Sequence, residues 1–148
     1  MSPDKHIISG IILGTGAYIV TKDITLAGAS ALSAFMCDMD HLLEYGAYCL
    51  QYKVKPSIKE FFSGSYFATK DKIVIVFHGY EYLFIMLIIA AMTRSSIAIG
   101  MVMGYTLHMI LDTIGNDCTF LGYCISYRIK VRFELNKICV KGKNNNGK

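Results

Sequence analysis

Four apolar runs alternate with polar segments along the chain and cover residues 7–20, 24–37, 73–92 and 96–114. The third run, IVIVFHGYEYLFIMLIIAAM, has about the ~20 residues that cross the hydrocarbon core of a membrane, and the fourth is nearly as long. The first two runs are about five residues too short by the same criterion. They either span with the help of flanking polar residues or form a hairpin that dips into the membrane.

This pattern predicts an all-α integral membrane bundle of about four helices in a single domain, residues 1–140. Composition agrees, because 53% of the residues are hydrophobic and only 18% are charged, whereas soluble domains carry about 25% charged residues. Small residues in the first two runs suit close helix packing in lipid; they are Gly10, Gly14, Gly16, Ala27, Gly28 and Ala31. The alternative is a soluble bundle with an unusually apolar core.

Basic residues indicate how such a bundle would be oriented. With four spans, thirteen of the fifteen basic residues fall on one side, in segments 1–6, 38–72 and 115–148, and only Lys22 and Arg94 fall on the other. An excess of Lys and Arg marks the cytoplasmic side, so both termini are expected to be cytoplasmic. Membrane lipids are the expected partners, and no nucleic acid is expected.

The connecting segments predict smaller elements. Ser57 followed by Glu60 forms a capping box for a short cytoplasmic helix, with Ile58, Phe61 and Phe62 facing the membrane surface; the alternative is a solvated loop.

The C-terminal segment alternates apolar and mainly basic residues in ISYRIKVRFEL, residues 125–135. This alternation predicts a strand, or a basic edge that lies against anionic headgroups. Residues 141–148, KGKNNNGK, are predicted to be a disordered basic tail. The five cysteines form no C-x-x-C motif, which favours free thiols in a reducing compartment.

Polar residues capable of binding metal stand at the ends of the apolar runs. His6 begins the first run, the second ends in CDMDH, and the third and fourth carry histidines followed by carboxylates. The residues of interest are His6, Asp38, Asp40, His41, His78, Glu81, His108 and Asp112. Spacings of three and four place two side chains on one face of a helix. Alternating spans bring all of these ends to the same side of the bundle, although a single histidine is more often a packing residue and Asp40 can be a helix N-cap.

Charge then favours a metal site. The four carboxylates would lie close together without a Lys or Arg in the spans, so they are either protonated or balanced by cations. Two divalent ions would neutralise them, with the histidines completing the coordination. Imidazole nitrogen with carboxylate oxygen suits zinc, manganese or iron better than calcium or magnesium. The number of candidate ligands exceeds the need of one tetrahedral zinc, which predicts two or more ions.

The same motifs resemble the predicted membrane-bound metal-dependent hydrolases over most of residues 1–117. The similar features are an early histidine, D-x-D-H after the second run, a histidine in the third, and GYTLHMILD. More distantly, the ligand set is similar to that of zinc-dependent phospholipases C. The resemblance implies hydrolysis, and it implies metal-ligand roles for His6, Asp38, Asp40, His41, His78, His108 and Asp112. Many relatives have a His-Ser pair after the histidine of the third run, where this chain has Gly79 and Glu81; Glu81 is therefore a candidate for either a ligand or a base.

The expected function is therefore hydrolysis of a phosphoester or ester in an amphipathic, lipid-like substrate at the cytoplasmic face. Bound metal would activate a water, and Glu81 or Asp40, if not a ligand, would be the general base. Two other functions fit the same residues. One is metal-ion transport, although transporter sites tend to lie near the membrane midplane between repeats. The other is a non-catalytic membrane protein with a structural metal.

Overall fold

The computed structural model describes residues 3–139, which form nine α-helices and one 3₁₀ turn. The helices are α1 (Pro3–Thr21), α2 (Ile24–Met36), α3 (Met39–Tyr52), α4 (Ile58–Ser63), α5 (Ser65–Lys70), α6 (Tyr80–Thr93), α7 (Ser96–Gly115), α8 (Ile125–Lys130) and α9 (Leu135–Ile138), with the 3₁₀ turn at Phe120–Tyr123. The prediction of an all-α protein is confirmed for these residues.

Helices α1, α2, α6 and α7 form the bundle, and α2 packs between α1 and α7. The α1–α2 and α6–α7 turns meet at one end. There the Asp23 carboxylate caps α2 by accepting hydrogen bonds from the backbone N–H groups of Thr25 and Leu26, and it also accepts a hydrogen bond from the Ser96 hydroxyl. The opposite end of the bundle therefore holds His6, the end of α2, the start of α6 and the end of α7.

Only part of the predicted span pattern appears as long apolar helices. Within residues 3–139, only Ser96–Gly115 is both long and apolar enough to cross a membrane, and Tyr80–Thr93 is apolar but shorter. The apolar run 73–92 is not one helix, because residues 73–79 are non-helical and α6 begins at Tyr80. The number of membrane spans thus remains a prediction.

Small residues permit the close approach of α2 and α7. A Cβ atom built on Gly104 would overlap the backbone oxygen of Ser30 and the hydroxyl oxygen of Ser33, and would lie 2.9 Å from the backbone nitrogen of Ala34. The Ser33 hydroxyl donates a hydrogen bond of 2.8 Å to the backbone oxygen of Met101, which ties the same two helices together. The helices therefore approach closely enough at Gly104 for their backbones to touch.

A second core forms outside the bundle, between α3, α4 and α5. Its buried members are Tyr45, Tyr48, Cys49 and Tyr66, with Phe61 and Phe67 packed against them. The predicted short helix is present as α4, and the Ser57 hydroxyl accepts the backbone N–H of Glu60 at its start. The Glu60 carboxylate does not complete a capping box; it accepts hydrogen bonds from the hydroxyls of Tyr45 and Tyr48 at 2.9 and 3.1 Å.

The predicted strand at residues 125–135 is wrong, since residues Ile125–Lys130 are the helix α8 and no extended strand occurs between residues 3 and 139. The prediction of free thiols is wrong for two cysteines, because Cys118 and Cys139 form a disulfide. This bond joins the segment after α7 to the segment after α9. Residues 140–148 lie outside the described chain, so the disordered tail at 141–148 stays a prediction.

Candidate metal centre

The end of the bundle opposite the Asp23–Ser96 contact holds a cluster of histidines and aspartates from five parts of the chain. Its members come from α1, the junction of α2 and α3, α3 itself, the segment before α6, and α7. They are His6, Asp38, Asp40, His41, His78, His108 and Asp112. His6 and His108 are fully buried and stack face to face, with their ring centroids 4.0 Å apart. The topology therefore brings together residues separated by up to 106 positions in the sequence.

His78 and His108 face each other through the same ring atom. The Nδ1 atom of His108 lies 2.8 Å from the backbone oxygen of Ala34, and the Nδ1 atom of His78 lies 3.2 Å from the Asp40 carboxylate. Both partners only accept hydrogen bonds, so each Nδ1 carries the proton and each Nε2 of a neutral ring has a lone pair. The two Nε2 atoms lie 2.9 Å apart. Two lone pairs at this distance repel each other unless a cation, either a proton or a metal ion, is shared between them.

Three overlapping groups of donors surround this pair, each with three atoms within 4.8 Å of one another. The groups are His78, His108 and Asp112; His6, Asp38 and His108; and Asp38, His41 and His78. Three protein donors with a remaining open position are typical of catalytic zinc sites. Because Asp38, His78 and His108 each belong to two groups, the arrangement fits more than one ion.

Two further observations support a cation at this position. The Nδ1 atom of His6 and the Oδ2 atom of Asp38 are buried without a hydrogen-bond partner among the described residues. Buried polar atoms are nearly always paired, and leaving one unpaired costs about 1–3 kcal/mol. The Nε2 atom of His6 does have a partner, since it lies 3.0 Å from Asp112 Oδ1. The residues thus fit a metal centre.

The electrostatics of the cluster attract one cation even without metal. Burial lowers the pKa of the His78 imidazole, but its contacts with Asp38 and Asp40 outweigh burial and raise that pKa to about 9. Burial, followed by the charge on His78, lowers the pKa of His41 to about 4. The cluster therefore favours a proton on His78 over one on His41, and a metal ion bound by these rings would compete with that proton.

Asp40 supports His78 instead of joining the donor groups. One of its carboxylate oxygens, Oδ2, accepts the backbone N–H of Phe77 at 2.8 Å and lies 3.2 Å from His78 Nδ1. The hydroxyl of Tyr105 holds the same segment from α7, through the backbones of Phe77 and Gly79. These contacts hold residues 77–79 in a non-helical conformation before α6, which brings His78 to the cluster.

Asp40→Asn is expected to weaken metal binding by about 10–100-fold, the usual cost of losing a carboxylate that orients a ligating histidine. An asparagine amide can point its NH₂ group at His78 and favour the wrong tautomer. The matched control is Asp71→Asn, the same change at a carboxylate that contacts Asn136 away from the cluster. Metal titration of the two purified variants measures the difference; equal affinities would contradict a supporting role for Asp40.

Glu81 lies elsewhere. Its carboxylate accepts hydrogen bonds from the backbone N–H groups of Ile125 and Ser126 at 2.9 and 3.0 Å, and from the Ser126 hydroxyl at 2.8 Å. It is absent from all three donor groups. The helical spacing of His78 and Glu81 does not apply, because α6 begins only at Tyr80. Glu81 therefore fixes the start of α8 and is not brought to the cluster as ligand or base.

The structure also places three charged residues near the cluster that the sequence motifs did not suggest. Glu44 is buried and accepts hydrogen bonds of 2.8 Å from the Lys70 ammonium and from the backbone N–H of Val74. Arg128 of α8 is buried and donates to the backbone oxygens of Gly122 and Ile75. Glu44 lies four residues after Asp40, so helical spacing could have predicted that it lies on the same face of α3. No sequence pattern around Lys70 or Arg128 predicts their positions.

A cavity of about 380 Å³ opens beside the cluster. Asp38, His41, His78 and Asp112 form one wall. Aromatic residues of α4 and α5 form a second wall, and residues from the end of α7 to the disulfide form a third. The candidate centre therefore adjoins a space large enough for a small substrate group.

A functional proposal for this chain depends on the geometry of these donor atoms, because comparison with known proteins suggests no function. No protein-family model, curated protein or solved structure matches this chain.

Proposed function

We propose that this protein is a membrane-embedded, metal-dependent hydrolase that acts on a phosphoester or ester bond of an amphipathic substrate. The observation that carries the proposal is the facing pair of Nε2 atoms of His78 and His108, 2.9 Å apart and each fixed by a partner on Nδ1. Such fixed tautomers are the usual support for histidines that bind metal. The neighbouring cavity favours a catalytic centre over a closed structural one.

The donor groups would hold zinc, or manganese or iron, through His6, Asp38, His41, His78, His108 and Asp112. A bound ion of this kind lowers the pKa of a coordinated water and polarises a phosphoryl or carbonyl oxygen. The chain itself contributes orientation, because Asp40 and the Ala34 carbonyl fix the two histidine rings. Glu81 is not retained as a base, since its carboxylate is engaged at the start of α8. Asp38 and Asp40 each have an oxygen without a partner among the described residues, but only Asp38 also lines the cavity.

Membrane embedding is supported by the outer surfaces of the bundle. In α6, which is apolar along nearly its whole length, Ala90 is the one described residue that is buried. Exposed apolar side chains also cover α1, namely Ile7, Ile8, Ile11, Ile12, Ile19 and Val20. A helix on the surface of a soluble protein normally presents a polar face to water, so lipid is the environment that suits these helices.

Chelation provides the first test of the proposal. Protein purified in detergent is expected to contain metal, and removing the metal is expected to lower its thermal midpoint, since an ion that binds only the folded state stabilises it by mass action. Metal analysis, thermal unfolding and assays on phosphoester and carboxylic ester substrates would be made on the same preparation. Absence of metal would refute the proposal, and metal without turnover of either substrate class would indicate a structural or transport site.

Topology is tested by single-cysteine labelling. Lys22→Cys and Ser95→Cys are expected to react from the side opposite to Lys59→Cys, because the turns at 22–23 and 94–95 lie together at the far end of the bundle from the cluster. The distribution of basic residues favours a cytoplasmic position for the cluster, whereas a disulfide is more typical of an oxidising compartment. Labelling decides between these two orientations, and reaction of all three positions from one side would refute the four-span arrangement.

A further inference from the structure

Arg128 is a buried cation without a carboxylate partner. Its side chain is only 3% exposed, and none of the ion pairs among residues 3–139 includes it. Its hydrogen bonds go to the neutral backbone oxygens of Gly122 and Ile75, and its guanidinium carbon lies 5.8 Å from the centroid of the Tyr123 ring, so none of these contacts supplies a full negative charge. Burial lowers the pKa of the guanidinium, but arginine starts so far above neutrality that it stays charged. Burying a charge without a counter-ion is costly, which suggests that its position serves a ligand.

The location of Arg128 indicates the kind of ligand. It lines the same cavity as Asp38, His41, His78 and Asp112. The acidic residues Asp40 and Asp112 are close enough to act on its charge, yet neither forms an ion pair with it. When the proposed divalent ions neutralise those carboxylates, the guanidinium charge remains uncompensated. Asp117 also lines the cavity, but two divalent ions and the guanidinium would carry five positive charges against the four carboxylates of Asp38, Asp40, Asp112 and Asp117, which leaves a positive balance that an anion can satisfy.

We infer that Arg128 binds the phosphoryl oxygens of a phosphate ester, which makes a phosphoester rather than a carboxylic ester the substrate class. This inference rests on the proposed metal-dependent hydrolase function. A guanidinium presents several N–H donors in a plane and suits phosphate oxygens. A carboxylic ester is uncharged and would leave the cation without a partner.

The remaining wall suggests what the phosphoryl group is attached to. Phe61, Phe62, Tyr66 and Phe67 of the short helices α4 and α5 line the same cavity. Phe62 is 54% exposed and Ile58 of the same helix is 79% exposed, so α4 presents apolar side chains outward as well as into the cavity. An apolar group bonded to the phosphate would lie against this wall. A lipid headgroup and a free phosphate could both bind Arg128 through phosphoryl oxygens, but only the lipid carries an apolar group that can contact this wall.

The test uses the full-length protein in detergent, loaded with zinc and labelled with ¹⁵N-arginine. The chain has three arginines, Arg94, Arg128 and Arg132, so three Nε–H signals are expected, and Arg94→Gln and Arg132→Gln assign two of them. Titration with inorganic phosphate is expected to shift the Arg128 signal alone, with saturation. Titration with dihexanoyl phosphatidic acid is expected to give the same shift at lower concentration if the apolar wall is used. Equal or weaker binding of the lipid indicates a free phosphate or a polar phosphate ester.

Calorimetry on variants completes the experiment. Arg128→Gln is expected to weaken phosphate binding by about tenfold or more, because hydrogen bonds to charged groups are the strong ones, and to keep its zinc. Lys130→Gln, the same loss of charge at an exposed position of α8, is expected to bind phosphate as the wild type does. If Arg128→Gln does not fold, the wild-type NMR titration still decides.

The outcomes separate the two proposals. Zinc-loaded wild-type protein whose Arg128 signal does not respond to phosphate would overturn the role of Arg128 and leave the hydrolase proposal standing. Unchanged phosphate affinity in folded Arg128→Gln would do the same. Protein that binds no metal would overturn the hydrolase proposal, and the inference about Arg128 with it.

Discussion

Replacing His108 with alanine is expected to cut metal affinity by more than about a hundredfold, beyond the usual cost of losing a supporting residue. Alanine supplies no lone pair, and the facing Nε2 atom of His78 loses the neighbour with which it would share an ion. Asp112→Ala is expected to have the same effect, because Asp112 shares a donor group with His78 and His108. Its Oδ1 atom also lies 3.0 Å from His6 Nε2. Any hydrolytic activity should disappear with the metal. Metal content per protein chain, measured after purification in detergent, provides the readout.

The control for both changes must alter α7 without touching the cluster. Met109 is unsuitable because it is 1% exposed and belongs to the bundle core, so Met109→Ala would itself destabilise the protein. Ile110 is 49% exposed on the same helix, and Ile110→Ala is expected to keep full metal content. If His108→Ala and Asp112→Ala match this control in metal content, these residues are packing residues and not ligands.

Gly104→Ala is expected to destabilise the bundle by about 1–3 kcal/mol or more, the range found when an extra methyl group is forced into a packed core. The new methyl would meet backbone atoms of Ser30 and Ala34, which cannot rotate away as a side chain can. Separation of α2 from α7 would also stretch the contact between the Ala34 oxygen and His108 Nδ1. Metal affinity is therefore expected to fall along with stability.

Gly28→Ala is the matched control for Gly104→Ala. Gly28 lies in α2, the helix that Gly104 contacts, and a Cβ atom built there meets no heavy atom within 4 Å. Since alanine is the better helix former, this variant is expected to be as stable as the wild type or slightly more so. Unfolding of both variants by a denaturing detergent gives the comparison. Equal midpoints would mean that α2 and α7 can separate without loss of stability.

The sequence was a good guide to the cluster because the reasoning depended on topology more than on local detail. Alternating helices bring every second helix end to the same side, so His6, Asp38, His78 and Asp112 could be expected to meet before any contact was known. This expectation holds whether or not each run spans a membrane. It requires only that consecutive long helices run in opposite directions.

The sequence was a poor guide where tertiary contacts override local periodicity. Helical spacing pairs His78 with Glu81, but the Asp40 carboxylate of α3 and the Tyr105 hydroxyl of α7 hold the backbone around His78 in a non-helical conformation. Alternation predicted a strand in the segment that contains Arg128, and the segment is a helix. A short segment has no strong preference of its own for helix or strand, so its tertiary contacts beside the cavity determine its secondary structure.

The contact between His6 and Asp112 has a consequence for how the protein matures. The two residues are 106 positions apart, and chain synthesis proceeds from the N-terminus. A nascent chain that has exposed only α1 to α6 lacks His108 and Asp112, and with them two of the three donor groups. Under the proposed function, metal would therefore be acquired at full affinity only after α7 has been made, and metallation would act as a late checkpoint on assembly rather than as a nucleus for it.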